Sequence, residues 1–222
     1  WYLLPMGGSI WSTPIAKMLD FPAYTFLQFS MNHGLLQLTD RPQWKTVVGG
    51  CRTYVNTALA KVGRKFLNEP VLSIQPKSNG VELTTAHRTE MFDACIVCTH
   101  PPQTVQMLSG VNESIISVLR SFRYQPNMAV LHTDVSILPP ERAWSAWNYT
   151  AADDQDGSEL VSVSYLINML QPLPTKKAVV VTLNPVKPIN PVQVIKTMSY
   201  DHPLFDSKAV MAQQREFASQ LI

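Results

Sequence analysis

The sequence predicts a mixed α/β protein in two parts, a helical, aromatic beginning followed by sheet-forming and helical segments. Three observations predict it. The run Trp44–Val48 is β-branched at its end and passes through Gly49-Gly50 straight into a helix-like pattern. An alternating hairpin pattern then leads into a continuous apolar run, Ala94–Thr99, typical of a strand covered on both faces. Seventeen prolines against nine glycines favour extended, turn-rich connections over a helical bundle.

Ser12-Thr13-Pro14 offers a hydroxyl cap with proline in the first turn, and opens a short helix to about Leu19. Pro22 opens a second helix through Phe26 and Phe29 to about Met31, closed by Asn32-His33-Gly34. His33 reads as a helix-end residue, and the aromatic side chains of this part read as core. The helix after Gly49-Gly50 runs from about Cys51 to Val62. Val55, Leu59 and Val62 fall on one face of it, which is expected to be buried, and Gly63 stops it. Val71 and Ile74 begin a strand, Ser78-Asn79-Gly80 forms a turn, and Val81 and Leu83 lie on the returning strand. Helices at about Pro102–Leu108 and Glu113–Arg120 follow the apolar run. "NMAVLHTDVSIL", "AWSAWNYT", "LVSVSYLINML" and "AVVVTLNP" are strand-like, and "AADDQDGSE" is a polar loop. Val192–Met198 suits a strand or a linker, and Lys208–Ile222 suits a helix.

The chain has 222 residues, 45% hydrophobic and 15% charged, enough for one large or two small domains. Its net charge of +2 is spread out. Only Lys61, Arg64 and Lys65 cluster, at a helix end where cations are favoured anyway, so no nucleic-acid surface is expected. No apolar run reaches the ~20 residues of a membrane span, and no signal peptide is legible. Three cysteines are too few for a disulfide framework, which suits a reducing, cytoplasmic setting. Cys95 and Cys98 form a CxxC without the second pair that structural zinc needs, and are expected to be buried and structural. Asp201, His202 and Asp206 lie around a proline turn and read as an Asx-type loop, so no metal is expected. Ser9, Ser12 and Cys51 belong to no nucleophile elbow or ordered Ser/Asp/His set, which argues against a hydrolase. The chain begins "WYLLPMGG" and ends "REFASQLI", both in mid-pattern, so it is expected to be an internal fragment of a longer protein.

The order apolar strand, Gly-Gly, helix, "EPVLSIQ", hairpin, "FDACIVCTHPPQTVQML" resembles the middle segment of the flavin-dependent amine oxidase superfamily. "MGGSIWSTP", "FPAYTFLQFSMNHGLL", "PQWKTVVGGCRTYV", "AWSAWNYT", "VTLNP" and "YDHPLFDSKAVMAQ" are similar to a bacterial group of NAD/FAD-binding, amine-oxidase-like proteins. The resemblance implies FAD as cofactor and a discontinuously threaded fold. In that fold residues 1–43 form a helical part of the substrate domain and 44–108 an FAD-domain segment. Residues 109–200 form a mixed substrate-domain sheet, and 201–222 a returning helix.

It also implies that the backbone of Val71 meets the adenine, whose edge offers a donor and an acceptor side by side. Thr99-His100-Pro101-Pro102 would approach the cofactor at the carboxyl end of a strand, where open α/β sheets bind ligands. Gly49 and Gly50 would form the hinge by which the chain re-enters the FAD domain, glycine allowing a tight approach. The family's G-x-G-x-x-G pyrophosphate grip is absent from these residues, so a partial FAD site is expected. Relatives often place a lysine on the strand corresponding to "YQPNMAVLHTD". Here that strand has no lysine, which leaves His132 beside His100 as candidate catalytic groups. Trp144 and Trp147 are candidate substrate-lining residues, although on a strand they would point to opposite faces. The expected activity is hydride transfer from a small organic molecule, apolar or lipid-like, to flavin. The rival reading is a non-catalytic binding or interaction module that retains the substrate-domain architecture.

Overall fold

The computed structural model of the protein describes residues 3–151 and 161–216. In chain order the helices and strands are α1 (Leu3–Trp11), α2 (Ile15–Met18), α3 (Ala23–Asn32), α4 (Arg52–Ala60), β1 (Val71–Lys77), β2 (Gly80–Thr85) and β3 (Thr89–Phe92). Then follow α5 (Pro101–Met107), α6 (Glu113–Arg120), β4 (Tyr124–His132), β5 (Trp147–Ala151), β6 (Val161–Leu166), α7 (Ile167–Leu170), β7 (Val180–Leu183), β8 (Val194–Pro203) and α8 (Ser207–Glu216). This is the mixed α and β composition that the sequence predicts. The chain divides into two compact units, one of residues 1–53 and 124–204, the other of residues 54–123 and 205–222.

The first unit is organised by a five-stranded antiparallel sheet in the order β5-β6-β7-β4-β8. Register places Ser164 opposite Thr182, Thr182 opposite Val130, and Val180 opposite both His132 and Leu166. Alternation therefore puts Val130, His132, Ser162, Ser164, Leu166, Val180 and Thr182 on one face, and all seven are buried. Leu138 packs there against Leu166 and Val180, with Trp144 and Ala178 beside them. Helix α1 lies against β6, and the Gln125 side chain of β4 donates to the Ser12 carbonyl. Trp11 gathers the helical part, its ring 4.7 Å from Phe21, 5.7 Å from Phe26 and 4.8 Å from Phe29.

The second unit holds an antiparallel meander, β1-β2-β3. Its tight turn needs Gly80, whose φ is +143° and where a Cβ would lie 2.3 Å from the Phe92 carbonyl oxygen. Helix α5 packs on β1 and ends in a parallel bridge between Ile74 and Leu108. Asn112 caps α6 by accepting from Ser114 N–H at 2.9 Å. Asp206 opens α8 in the same manner, accepting from Ala209 N–H at 2.9 Å, and pairs with Arg123.

Three expectations are corrected. The β-branched run before Gly49 forms no strand, and Val48 is 81% exposed. The apolar run Ala94–Thr99, expected to be a doubly covered strand, is irregular, with Ile96 90% exposed and Cys98 exposed. Val55 and Leu59 on α4, and Val62 just beyond it, are exposed rather than buried. The physical reason is shared. Apolar pattern specifies a surface to be covered, and no described residues supply ladder partners to these two runs or a cover to that helix face. Three elements were not foreseen: α1, whose sequence includes Pro5, Gly7 and Gly8, the short strand β3, and the one-turn helix α7, where Ile167–Leu170 of the strand-like "LVSVSYLINML" leave the sheet once β6 ends at Leu166. Residues 152–159 of the expected polar loop, residue 160 at the start of the expected strand after it, and residues 217–222 of the expected final helix lie outside the described residues.

Candidate functional site

The residues singled out in the sequence fall in both units. In the second, Val71 is half-buried and is the first residue of β1. A register shift between Val71 and Ser73 loosens the ladder there. β1 is an edge strand. Among the described residues the partner on its outer side is the Ile74–Leu108 bridge, so backbone polar groups along the rest of that edge remain open to a ligand. Ahead of Val71, Glu69 accepts from Thr85 Oγ1 at 2.7 Å and pairs with Arg88. The Arg88 guanidinium lies 3.4 Å from the Phe66 ring centre. Arg64 makes a two-pronged contact to Glu90, at 2.9 and 2.7 Å. This network fastens residues 64–69 to the β2–β3 hairpin and so fixes where β1 begins.

Thr99, His100 and Pro101 form the entry to α5. Thr99 Oγ1 lies 2.9 Å from Thr104 Oγ1, and Gln103 Oε1 accepts from His100 N–H at 3.3 Å. Pro101 and Pro102 occupy the first turn, where proline is tolerated because no intrahelical donor is required. For the same reason they remove two N–H groups that a phosphate would use.

In the first unit Gly49 and Gly50 adopt φ of +81° and +79°, a turn closed by Gly50 N–H to the Val47 carbonyl at 2.9 Å. A Cβ at Gly50 would meet nothing within 4 Å, so backbone conformation, not crowding, requires glycine there. Thr53 Oγ1 donates to the Gly50 carbonyl at 2.9 Å and opens α4. Trp144 donates through Nε1 to the Pro139 carbonyl at 2.9 Å and packs on the Leu138 cluster. Trp147 is 46% exposed and meets Tyr165 edge-on at 5.1 Å. Trp144 thus belongs to the core, while Trp147 reaches solvent.

His132 is fully buried at the end of β4. Asp134 N–H donates to its Nδ1 at 3.2 Å, so in the neutral ring the proton sits on Nε2. That proton goes to Thr182 Oγ1, 2.8 Å away, and Thr182 Oγ1 in turn lies 2.9 Å from Ser164 Oγ. Burial drives the His132 pKa down, which keeps the ring neutral, against a smaller opposing effect of Asp134. Asp134 is held below the usual carboxylate range chiefly by Asn190 N–H and the Ser136 hydroxyl, 2.9 and 2.7 Å from its oxygens. In this arrangement His132 is a hydrogen-bond donor toward Thr182. Taking up a proton at Nε2 would require the other tautomer.

The same face carries a small pocket of about 10 Å³ between Thr150, Ser162, Ser164 and Thr182, walled by Ile137, Pro185 and Val186, with Lys187 beside it. The sequence reading missed Ser164, Thr182, Asp134 and Asn190. Serines alternating with valines in "VSVSY" were the available signal, since hydroxyls at alternate strand positions share one face. Among the described residues no three His, Cys, Asp or Glu side chains stand together as metal ligands, and no helix is long and apolar enough to cross a membrane.

No known family and no curated protein matches the chain. Solved structures resemble the chain, two of them as follows. One is a CLA-producing fatty acid isomerase from P. acnes, 10% identical, with a TM-score of 0.49 over 88% of this chain and 48% of that one. The other is a protein designated a protoporphyrinogen oxidase from Exiguobacterium sp. 255-15, 13% identical, with a TM-score of 0.50 over 87% of this chain and 49% of that one. The chain spans about half the length of each, and at this level of identity the second likeness shows the fold alone.

Proposed function

We propose that the chain is part of an FAD-dependent oxidoreductase of the amine oxidase and desaturase type. It would act on a small organic substrate, apolar or lipid-like. The observation that carries this reading is the likeness in fold, over 87% of the chain, to the protein designated a protoporphyrinogen oxidase. The motif order that resembles the amine oxidase superfamily supports it independently.

The residues present fit one end of the cofactor. The open edge of β1 at Val71 suits adenine, which a backbone N–H and C=O can read together. The pyrophosphate is not accommodated. Gly49-Gly50 forms an isolated turn without the G-x-G-x-x-G spacing, and the prolines opening α5 withhold N–H donors. Residues outside this chain would have to supply that grip, and the exposed apolar side chains of Val47, Val48, Ala94 and Ile96 are surfaces such residues would cover. FAD, when bound, supplies the hydride-accepting chemistry. The roles proposed for this chain's residues are to anchor adenine at Val71, to shape the adjacent turn at Thr99, His100 and Pro101, and to present the exposed face of Trp147 to substrate. His132, with its proton on Nε2, would act by orienting Thr182.

The missing pyrophosphate grip also favours the rival, a binding module without flavin. The two separate in the polypeptide of full encoded length. The oxidoreductase reading predicts bound flavin absorbance in the purified protein and its loss in Val71→Pro. Proline is tolerated at the first residue of a strand, so that variant removes an N–H without removing the strand. Absence of flavin from the full-length protein supports the module. Unchanged flavin content in Val71→Pro removes Val71 from the adenine site.

A further inference from the structure

We propose that the hydroxyl-lined pocket on the sheet of the first unit binds one oxygen of a small carboxylate, with the Lys187 ammonium matching its charge. This site includes Thr182, but the argument for it does not rest on the flavin reading.

The ground is a count of hydrogens. His132 Nε2–H, Thr182 O–H and Ser164 O–H are three donor hydrogens, and two contacts link the three groups, at 2.8 and 2.9 Å. Two hydrogens fill those contacts, and one O–H is left. It lies on Ser164 if Thr182 donates to Ser164, and on Thr182 if the pair is reversed. Both residues are buried and both line the pocket. Among the described residues, neither hydroxyl has another hydrogen-bond partner. The chain of donors cannot run the other way while Asp134 N–H occupies His132 Nδ1. A hydroxyl hydrogen therefore faces the pocket from either arrangement, and a buried donor is costly to leave unmatched.

Size and charge narrow the acceptor. A volume of about 10 Å³ takes one water-sized atom, so a single oxygen enters and a ring does not. Ile137, Pro185 and Val186 give apolar walls that suit the carbon bearing that oxygen, and Lys187 is exposed beside them. A water would satisfy the donor but would leave the cation and the apolar walls unused. A carboxylate uses all three, by placing one oxygen on the hydroxyl and the other toward the ammonium.

The test is a titration of the 222-residue chain with sodium formate, followed by amide spectra. Parallel titrations with sodium chloride and sodium phosphate at matched ionic strength serve as controls. Formate is expected to shift the Ser162, Ser164 and Thr182 amides saturably, whereas chloride leaves them in place. Lys187→Gln should weaken formate binding about tenfold, the loss of one charge-assisted contact, and Ser164→Ala should weaken it further. The exposed Lys176→Gln should change nothing. Lys187 is on the surface, so its variant decides the matter even if Ser164→Ala fails to fold. The proposal is overturned by an absent or unsaturable formate response, by an equal response to chloride, by tighter binding of phosphate, or by undiminished formate binding in Lys187→Gln.

Discussion

Burial holds His132 neutral, and Asp134 N–H at Nδ1 keeps the ring proton on Nε2. This has a consequence for stability. The folded pKa lies below the unfolded value of about 6.5, so between the two the unfolded chain binds more protons. Stability from the neutral ring is fully present above about pH 6.5, and is lost as the pH falls below that toward the folded value. His202 is depressed by burial in the same sense. Asp134, also depressed, adds a second loss at lower pH, which begins where the carboxylate of the unfolded chain protonates and is complete once the folded one does. Thermal melts from pH 8 to pH 5 should therefore show a decline beginning near pH 6.5. The decline should be shallower in His132→Gln, whose side chain does not titrate, even if its melting temperature is lower throughout. An equal slope in that variant would show that His132 carries no part of it. At this scale the sequence was informative about residue type and silent about state. It singled out His132 as the base of its strand, but the tautomer is set by Asp134, two residues on, and by Thr182, fifty residues away on β7.

Elements were legible where a local signal and its physical cause lie in one short stretch. Glu113–Arg120 was read with its bounds intact because Asn112 caps it and its apolar residues keep helical spacing. The β1–β2 hairpin was legible from Asn79-Gly80 for the same reason. Gly80→Ala tests that reading. The added Cβ would meet backbone rather than a yielding side chain, at a φ that L residues rarely adopt, so a loss of roughly 1–3 kcal/mol in urea unfolding is expected. A loss within ~0.5 kcal/mol would mean that the turn is not held in this conformation. Elements were illegible where their formation depends on partners far away. "ACIVCT" has the composition of a buried strand, yet a strand needs at least one ladder partner, and composition does not report whether one is there. Helix α4 has a correct apolar stripe and exposes it for the same reason. The β8 strand could not be told from a linker because its pattern is weak. It is fixed by a long register with β4, from Tyr124–Pro203 to His132–Val194.

Taken whole, the chain joins a five-stranded unit with a buried polar layer to a smaller meander unit whose apolar runs stand uncovered. The likeness to the second solved structure is one of fold and does not reach substrate. The functional proposal, carried by that likeness, asks these residues for one part of an FAD site, its adenine end. That claim can be measured on this chain directly. AMP and FMN are titrated separately into the labelled 222-residue protein while the Val71 amide is followed. The proposal predicts a saturable shift at Val71 and its β1 neighbours with AMP, none with FMN, and loss of the AMP response at those β1 neighbours in Val71→Pro, which has no amide of its own at position 71. A Val71 amide that ignores AMP, or that responds to FMN instead, would contradict it.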